Sequence, residues 1–203
     1  MTPGTLLEAS GLEIAYRGRP VVREASLRLR AGEVAGVVGE NGAGKTTLLR
    51  ALAGLVAPRA GTVTAAGRVG YAPQEPALFE GLTAREHFRY VAAARAMRAF
   101  EPAMVRLAER LRFASHLDVR VERLSGGTRQ KLNVSLALLS DPEVLLLDEP
   151  YAALDGEAYL RFWEVAGEAR ARGRALLLVS NLVHDRERFD ALYALEGGVL
   201  RCS

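Results

Sequence analysis

The chain has 203 residues, 49% hydrophobic and 25% charged, which is enough for one buried core and is not the composition of a disordered segment. A net charge of +3 without any block of like charges gives a nucleic-acid partner little support, and the single cysteine, Cys202, excludes an internal disulfide. The longest apolar runs, residues 144–147 and 175–179, fall far short of the roughly 20 residues needed to cross a bilayer, and residues 1–12 show no basic stretch followed by an apolar run. The expectation is a cytoplasmic protein whose membrane part, if it serves one, belongs to another chain.

Along the chain, residues 12–16, 26–30 and 33–38 read as short extended pieces, with a turn at Ala31-Gly32. From Gly44 to Ala53 the period becomes helical, and Gly54 stands where a C-terminal cap glycine belongs. Strand-like residues return over 61–65 and 68–72. Beyond Pro73 the chain turns into arginine- and alanine-rich helix. Thr83 with Glu86 forms a capping-box pattern ahead of a helix to about Met97, and a second helix is predicted over 103–113.

Ser125 can cap a helix running to Leu139, which Asp141-Pro142 breaks. A strand over 144–148 follows, then a helix over 156–172 predicted to bury Leu160, Trp163, Ala166 and Gly167. A buried strand over 175–180 and a terminal hairpin at Gly197-Gly198 close the chain. This alternation predicts an α/β fold: a P-loop NTPase core with a largely parallel sheet, an N-terminal antiparallel β part and a helical insertion. The chain reads as a single domain over 1–203, with 1–73 and 125–203 as its core and 74–124 as a helical subdomain.

Gly39-Glu40-Asn41-Gly42-Ala43-Gly44-Lys45-Thr46 fits G-x-x-x-x-G-K-[ST] at every required position, after an apolar strand and before a helix. Glycines let successive backbone N–H groups point at phosphate oxygens, and the helix N-terminus adds positive potential. Of 27 basic residues only Lys45 and Lys131 are lysine, and one of the two stands inside this loop. A compact ammonium on a flexible stem suits that place better than a planar guanidinium. Lys45 would meet the β- and γ-phosphates of ATP, and Thr46 would hold Mg²⁺.

The strand ending in Asp148-Glu149 delivers two carboxylates to its C-terminal edge. Asp148 would bind Mg²⁺, and Glu149 would polarise the attacking water as a general base. About 23 residues before Asp148, Leu124-Ser125-Gly126-Gly127 sits at a predicted helix start. Such a turn can present N–H groups and a hydroxyl to phosphate, yet one γ-phosphate does not need two such turns from one chain. The turn either faces the nucleotide of a second subunit or is a glycine-rich cap without a ligand.

Together these motifs resemble the ATP-binding cassette family over about residues 12–200, and Leu124-Ser125-Gly126-Gly127 is similar to that family's own signature. The resemblance implies an ATP site formed by Gly39, Asn41, Gly42, Ala43, Gly44, Lys45, Thr46 and Thr47, with Ser125, Gly126 and Gly127 serving the partner's ATP. It assigns Tyr16 to stacking on adenine, and Gln74 to contact with Mg²⁺ and the water and to coupling with the membrane partner. Ala153-Leu154-Asp155 matches the loop that crosses between paired subunits. In that family two such domains close head to tail over two ATP molecules and drive a multi-span membrane permease, on which the helical region docks. The implied place is the cytoplasmic face of the membrane, with no nucleic acid. The small size and short helical insertion look most like exporter-type cassettes.

Two positions depart from the family pattern. Thr128 stands where the signature usually ends in glutamine, and Asn181 stands where a histidine contacts the γ-phosphate. An asparagine amide can donate to phosphate but carries no proton or charge, so Asn181 implies slow hydrolysis. His184, three residues on, reads as a helix-start or surface residue. The competing functions are a soluble clamp on nucleic acid or a ribosome, a regulatory ATP-binding module with little turnover, and a P-loop kinase. The clamp is disfavoured by the lack of a second cassette or a coiled-coil insertion, and the kinase does not explain residues 124–127.

Overall fold

Alternating apolar residues along two adjacent strands feed two separate cores, and this division organises the molecule. In a computed structural model describing residues 4–181 and 185–202, β6 (Val144–Asp148) places Val144 and Leu146 on one face of the sheet and Leu145 and Leu147 on the other. Its neighbour β7 (Ala175–Ser180) does the same, with Ala175, Leu177 and Val179 opposite Leu176 and Leu178. A strand buried on both faces loses the polar alternation of a surface strand, which is why both read as continuous apolar runs.

Among the described residues, β6 and β7 lie in a nine-stranded sheet. Its parallel part is β3 (Val34–Val38), β5 (Val69–Ala72), β6, β7 and β8 (Ala191–Glu196). Its antiparallel part is β1 (Thr5–Tyr16), β2 (Arg19–Arg30) and β4 (Ala60–Ala65). The two parts join through β9 (Val199–Cys202), which is antiparallel to β8 and touches β2. The β8–β9 turn, Gly197-Gly198, has positive φ at both residues, as a two-residue hairpin of matching twist demands. The predicted α/β architecture is therefore present.

On one face, α1 (Lys45–Leu52) packs against the antiparallel strands. On the other lie α2 (Ala84–Ala94), α3 (Glu101–Arg110), α4 (Gly126–Leu138) and α5 (Gly156–Ala171). The capping box of α2 is formed: the Thr83 N–H donates to Glu86 Oε2 at 2.7 Å, and the Glu86 N–H donates to Thr83 Oγ1 at 3.2 Å. That helix stops short of Met97, because Ala96 takes a left-handed φ of 52°.

Strand β2 begins at Arg19 rather than Ser26, and two further expectations need correction. Strand β1 begins at Thr5 rather than Leu12, because a bulge between Ala9 and Leu12 shifts the alternation by one residue and hides its first half. In α5, Leu160 is 54% exposed and Gly167 is also exposed, while Phe162 joins Trp163 and Ala166 in the core. At 100° per residue the buried stripe runs through Ala158, Phe162, Val165, Ala166 and Ala169, and positions 160 and 167 fall on the other side.

Candidate functional site

Strand β3 is buried along Val34, Ala35 and Val37 and carries the chain to the C-terminal edge of the parallel sheet, where the glycine loop begins. The loop runs tight against its neighbours. A Cβ on Gly39 would lie 2.4 Å from the Leu195 carbonyl of β8, and Gly44 has φ 103° where it enters α1. Both positions therefore require glycine. Lys45 is buried, and its ammonium donates to Gly39 O at 2.7 Å, Glu40 O at 2.9 Å and Asn181 Oδ1 at 2.7 Å. An ammonium only donates, so this contact fixes the Asn181 amide with its oxygen on Lys45 and its NH₂ turned away.

The acidic edge is set by β6. Asp148 is only 1% exposed, and its Oδ2 is buried without a hydrogen-bond partner. Desolvation pushes its carboxyl above the usual range. The Thr46 hydroxyl, Lys45 and Arg50 oppose the rise, and the Glu149 charge adds to it. An unpaired buried oxygen costs about 1–3 kcal/mol, and a divalent cation between Asp148 and Thr46 would relieve that cost, so these residues fit Mg²⁺. Tyr71 on β5 is affected by the same burial. Desolvation pushes its phenol up to about 12, with Asp148 contributing and Arg50 opposing.

Glu149 leaves the strand with a left-handed φ of 46°, costly for a residue with a side chain. The surrounding contacts over-determine that conformation. Its N–H donates to Val179 O at 2.9 Å, and its C=O accepts from Gln130 Nε2 at 3.3 Å. Its carboxylate accepts from the Asn181 N–H at 2.7 Å and from Ser180 Oγ at 3.1 Å. The candidate base is thereby aimed from the end of β7 and from α4.

A cleft of about 190 Å³ brings together Asn41, Gly42, Gly44, Lys45, Thr46, Thr47, Gln74, Asp148, Glu149 and Asn181. Gly39 and Ala43 line the adjoining groove on the β8 side. Ser125, Gly126, Gly127 and Tyr16 line neither. Ser125 caps α4 by accepting the Thr128 N–H, and Tyr16 is exposed at the end of β1. His184 lies outside the described residues.

The sequence reading missed Gln130, Asn133 and Ser180, and also Tyr151, which packs edge-on against Tyr159 and Phe162 beside Glu149. Burial is the main cause that pushes the Tyr151 phenol up. A signal for the first two existed, namely two amides three residues apart on one face of the helix that opens at Ser125.

Residues 22–152 match the family model described as ABC transporter. The chain is 36% identical over 203 residues to the Nod factor export ATP-binding protein I of Paraburkholderia xenovorans, covering 92% of this chain and 66% of that protein. It is 33% identical over 213 residues to the protein of the same name from Rhizobium meliloti, covering 97% and 63%. The chain thus spans just under two thirds of the length of these relatives. A solved ATP-binding subunit of an ABC transporter superposes with a TM-score of 0.91 at 28% identity, over 98% of this chain and 90% of that one. A nucleotide-free ATP-binding cassette from an ABC transporter gives 0.81 at 18% identity, over 97% and 89%, a likeness of fold.

Proposed function

The chain belongs to the ABC transporter family, as one of its ATP-binding domains, and on that premise we propose that it binds and hydrolyses ATP to power transport through a separate membrane permease. The observation that carries this is the convergence, in one cleft, of a phosphate-cradling loop, a buried carboxylate with an unpartnered oxygen and a second carboxylate held for base chemistry. The Ser125-Gly126-Gly127 turn lies outside that cleft, which supports its use by a second copy of the domain.

Each residue then has a role. The loop from Gly39 to Thr47 holds the phosphates, and Lys45 exchanges its contact with Asn181 for them. Thr46, Asp148 and Gln74 hold Mg²⁺, which when bound neutralises phosphate charge. Glu149 accepts a proton from the attacking water, and its two anchors keep its carboxylate from swinging away. Tyr16 stacks on adenine. ATP closes two domains head to tail, residues 74–124 form the helical subdomain that docks on a multi-span permease, and the single domain sits on the cytoplasmic face. The names of the relatives favour export as the direction. Among the described residues no helix is long and apolar enough to cross a membrane.

The geometry at Asn181 favours a second, slower mode of the same function. Its NH₂ can donate to phosphate, but it cannot exchange a proton there as histidine can. Steady-state ATPase activity with Mg²⁺ tests both readings. Glu149→Gln is expected to abolish turnover while leaving ATP binding intact, and Asn181→His to raise turnover at least about tenfold, roughly 1.4 kcal/mol. Turnover that survives Glu149→Gln removes the base assignment, and an unchanged rate in Asn181→His removes the slow mode.

A further inference from the structure

Helix α4 begins at the Ser125 turn and runs through the core, yet it buries two side-chain amides, Gln130 at 4% exposure and Asn133 at 6%. Three residues apart, they share one helix face. Their partners lie far away in sequence. Asn133 Nδ2 donates to Pro73 O at 2.7 Å and to Gln130 Oε1 at 3.3 Å, and Gln130 Nε2 donates to Glu149 O at 3.3 Å. The amide orientations follow from chemistry. Both carbonyls accept only, so each side chain must present its NH₂, and the remaining Gln130 oxygen must then face Asn133.

The result is a continuous relay: Pro73 carbonyl, Asn133, Gln130, Glu149 carbonyl. Pro73 immediately precedes Gln74, and Glu149 is the candidate base. The relay is anchored one helical turn from the Ser125-Gly126-Gly127 turn. Apolar residues fill the neighbouring positions Leu132, Val134, Ala137 and Leu138. Apolar side chains at 130 and 133 would fill the core equally well but could not bond two loops, and amides left unbonded there would be costly.

We propose that Gln130 and Asn133 are positioning residues that hold the Gln74 loop and Glu149 in register with α4, so that the turn opening α4 is linked to the base and to the Gln74 loop. A displacement of α4, when its first turn engages a partner's nucleotide, is carried by these bonds to both loops. Neither residue touches the reacting atoms. This inference rests on the ATPase reading above.

The test compares the full chain with Asn133→Leu, Gln130→Met and the double variant, measuring kcat, KM, MgATP affinity and thermal midpoint on the same preparations. Each single variant is expected to lower kcat at least about tenfold while KM and MgATP affinity stay within about twofold, because the phosphate cradle is untouched. The double variant is expected to be no worse than the poorer single one, since either cut breaks the same relay. Should one variant fail to fold, the kcat–KM split of the other carries the test.

A kcat within about twofold of the parent, losses confined to KM or midpoint, or additive losses in the double variant overturn the relay while leaving the ATPase reading standing. A parent that neither binds nor hydrolyses MgATP overturns both.

Discussion

Asp148 is an acid at the floor of the cleft, almost fully buried and with one oxygen left unpartnered. Without a cation this arrangement works against folding, since burial favours the uncharged acid. Asp148→Asn is therefore expected to raise the melting temperature of the nucleotide-free protein by about 2–4 °C, the effect of roughly 1 kcal/mol in a domain of this size. The same variant should lose most of the stabilisation that MgATP gives the parent. Differential scanning fluorimetry with and without MgATP checks both, and a variant that melts lower without nucleotide contradicts the burial argument. At this scale Lys45, Thr46, Asp148 and Glu149 were legible in the sequence because their spacing is local and each motif is contiguous. Contacts that aim them were not. The Lys45–Asn181 bond spans 136 residues, and the Asn133–Pro73 bond spans 60. No local pattern announces such partners.

Among the elements, the end of the sheet opposite the cleft is tied by charge rather than by apolar contact. Asp141, between α4 and β6, meets Arg174 at 2.5 Å and Arg172 at 3.7 Å, while Glu143 meets Arg68 and Arg174. The hydrogen bond from Arg174 is the main cause that holds the Asp141 carboxyl below its ordinary 3.8, with Arg172 and Arg68 assisting. A depressed carboxylate stabilises the fold above its unfolded value and ceases to do so as pH falls through its folded value. Asp141→Asn retains a residue that tolerates the φ of 46° there and removes only the charge. Because the pair is half exposed and screened, the expected loss is about 0.5–1 kcal/mol at pH 7. It should shrink as pH falls below the ordinary 3.8 and vanish once pH lies below the folded value, which paired melting curves from pH 7 downward would show. Helix and strand identities were readable from caps and periodicity, as at Thr83, Ser125 and Pro142. The facing of α5 was not, because Leu160 is apolar yet turned outward, while Phe162 and Trp163 of the same helix take the core.

For the whole molecule, the Ser125-Gly126-Gly127 turn lies away from the cleft, and the proposal that it serves a second copy predicts a nucleotide-dependent dimer. Glu149→Gln, which should hold ATP without consuming it, is expected to run at about twice the 21.9 kDa monomer mass in MgATP and as a monomer without nucleotide. Light scattering after size exclusion measures this, and the further change Ser125→Arg should return the MgATP sample to monomer. A monomer under all conditions would mean that the second subunit is a different chain or that the turn serves no nucleotide. Fold class was plain from the alternation of strands and helices, whereas the β9 link between the two parts of the sheet rests on one Arg23–Val199 pairing that sequence periodicity does not encode.

Strand β6 has a further consequence. Asp148 follows Leu146 on the α1 side, next to Thr46, whereas Glu149 continues toward β7 and α4. A single inserted or deleted residue anywhere in that strand would exchange the two cores' side chains and, with them, the two acids. The order of the carboxylates is thus protected by the same packing that holds the sheet. Frame errors in this strand should be lost as folding failures before they could surface as enzymes with misplaced chemistry.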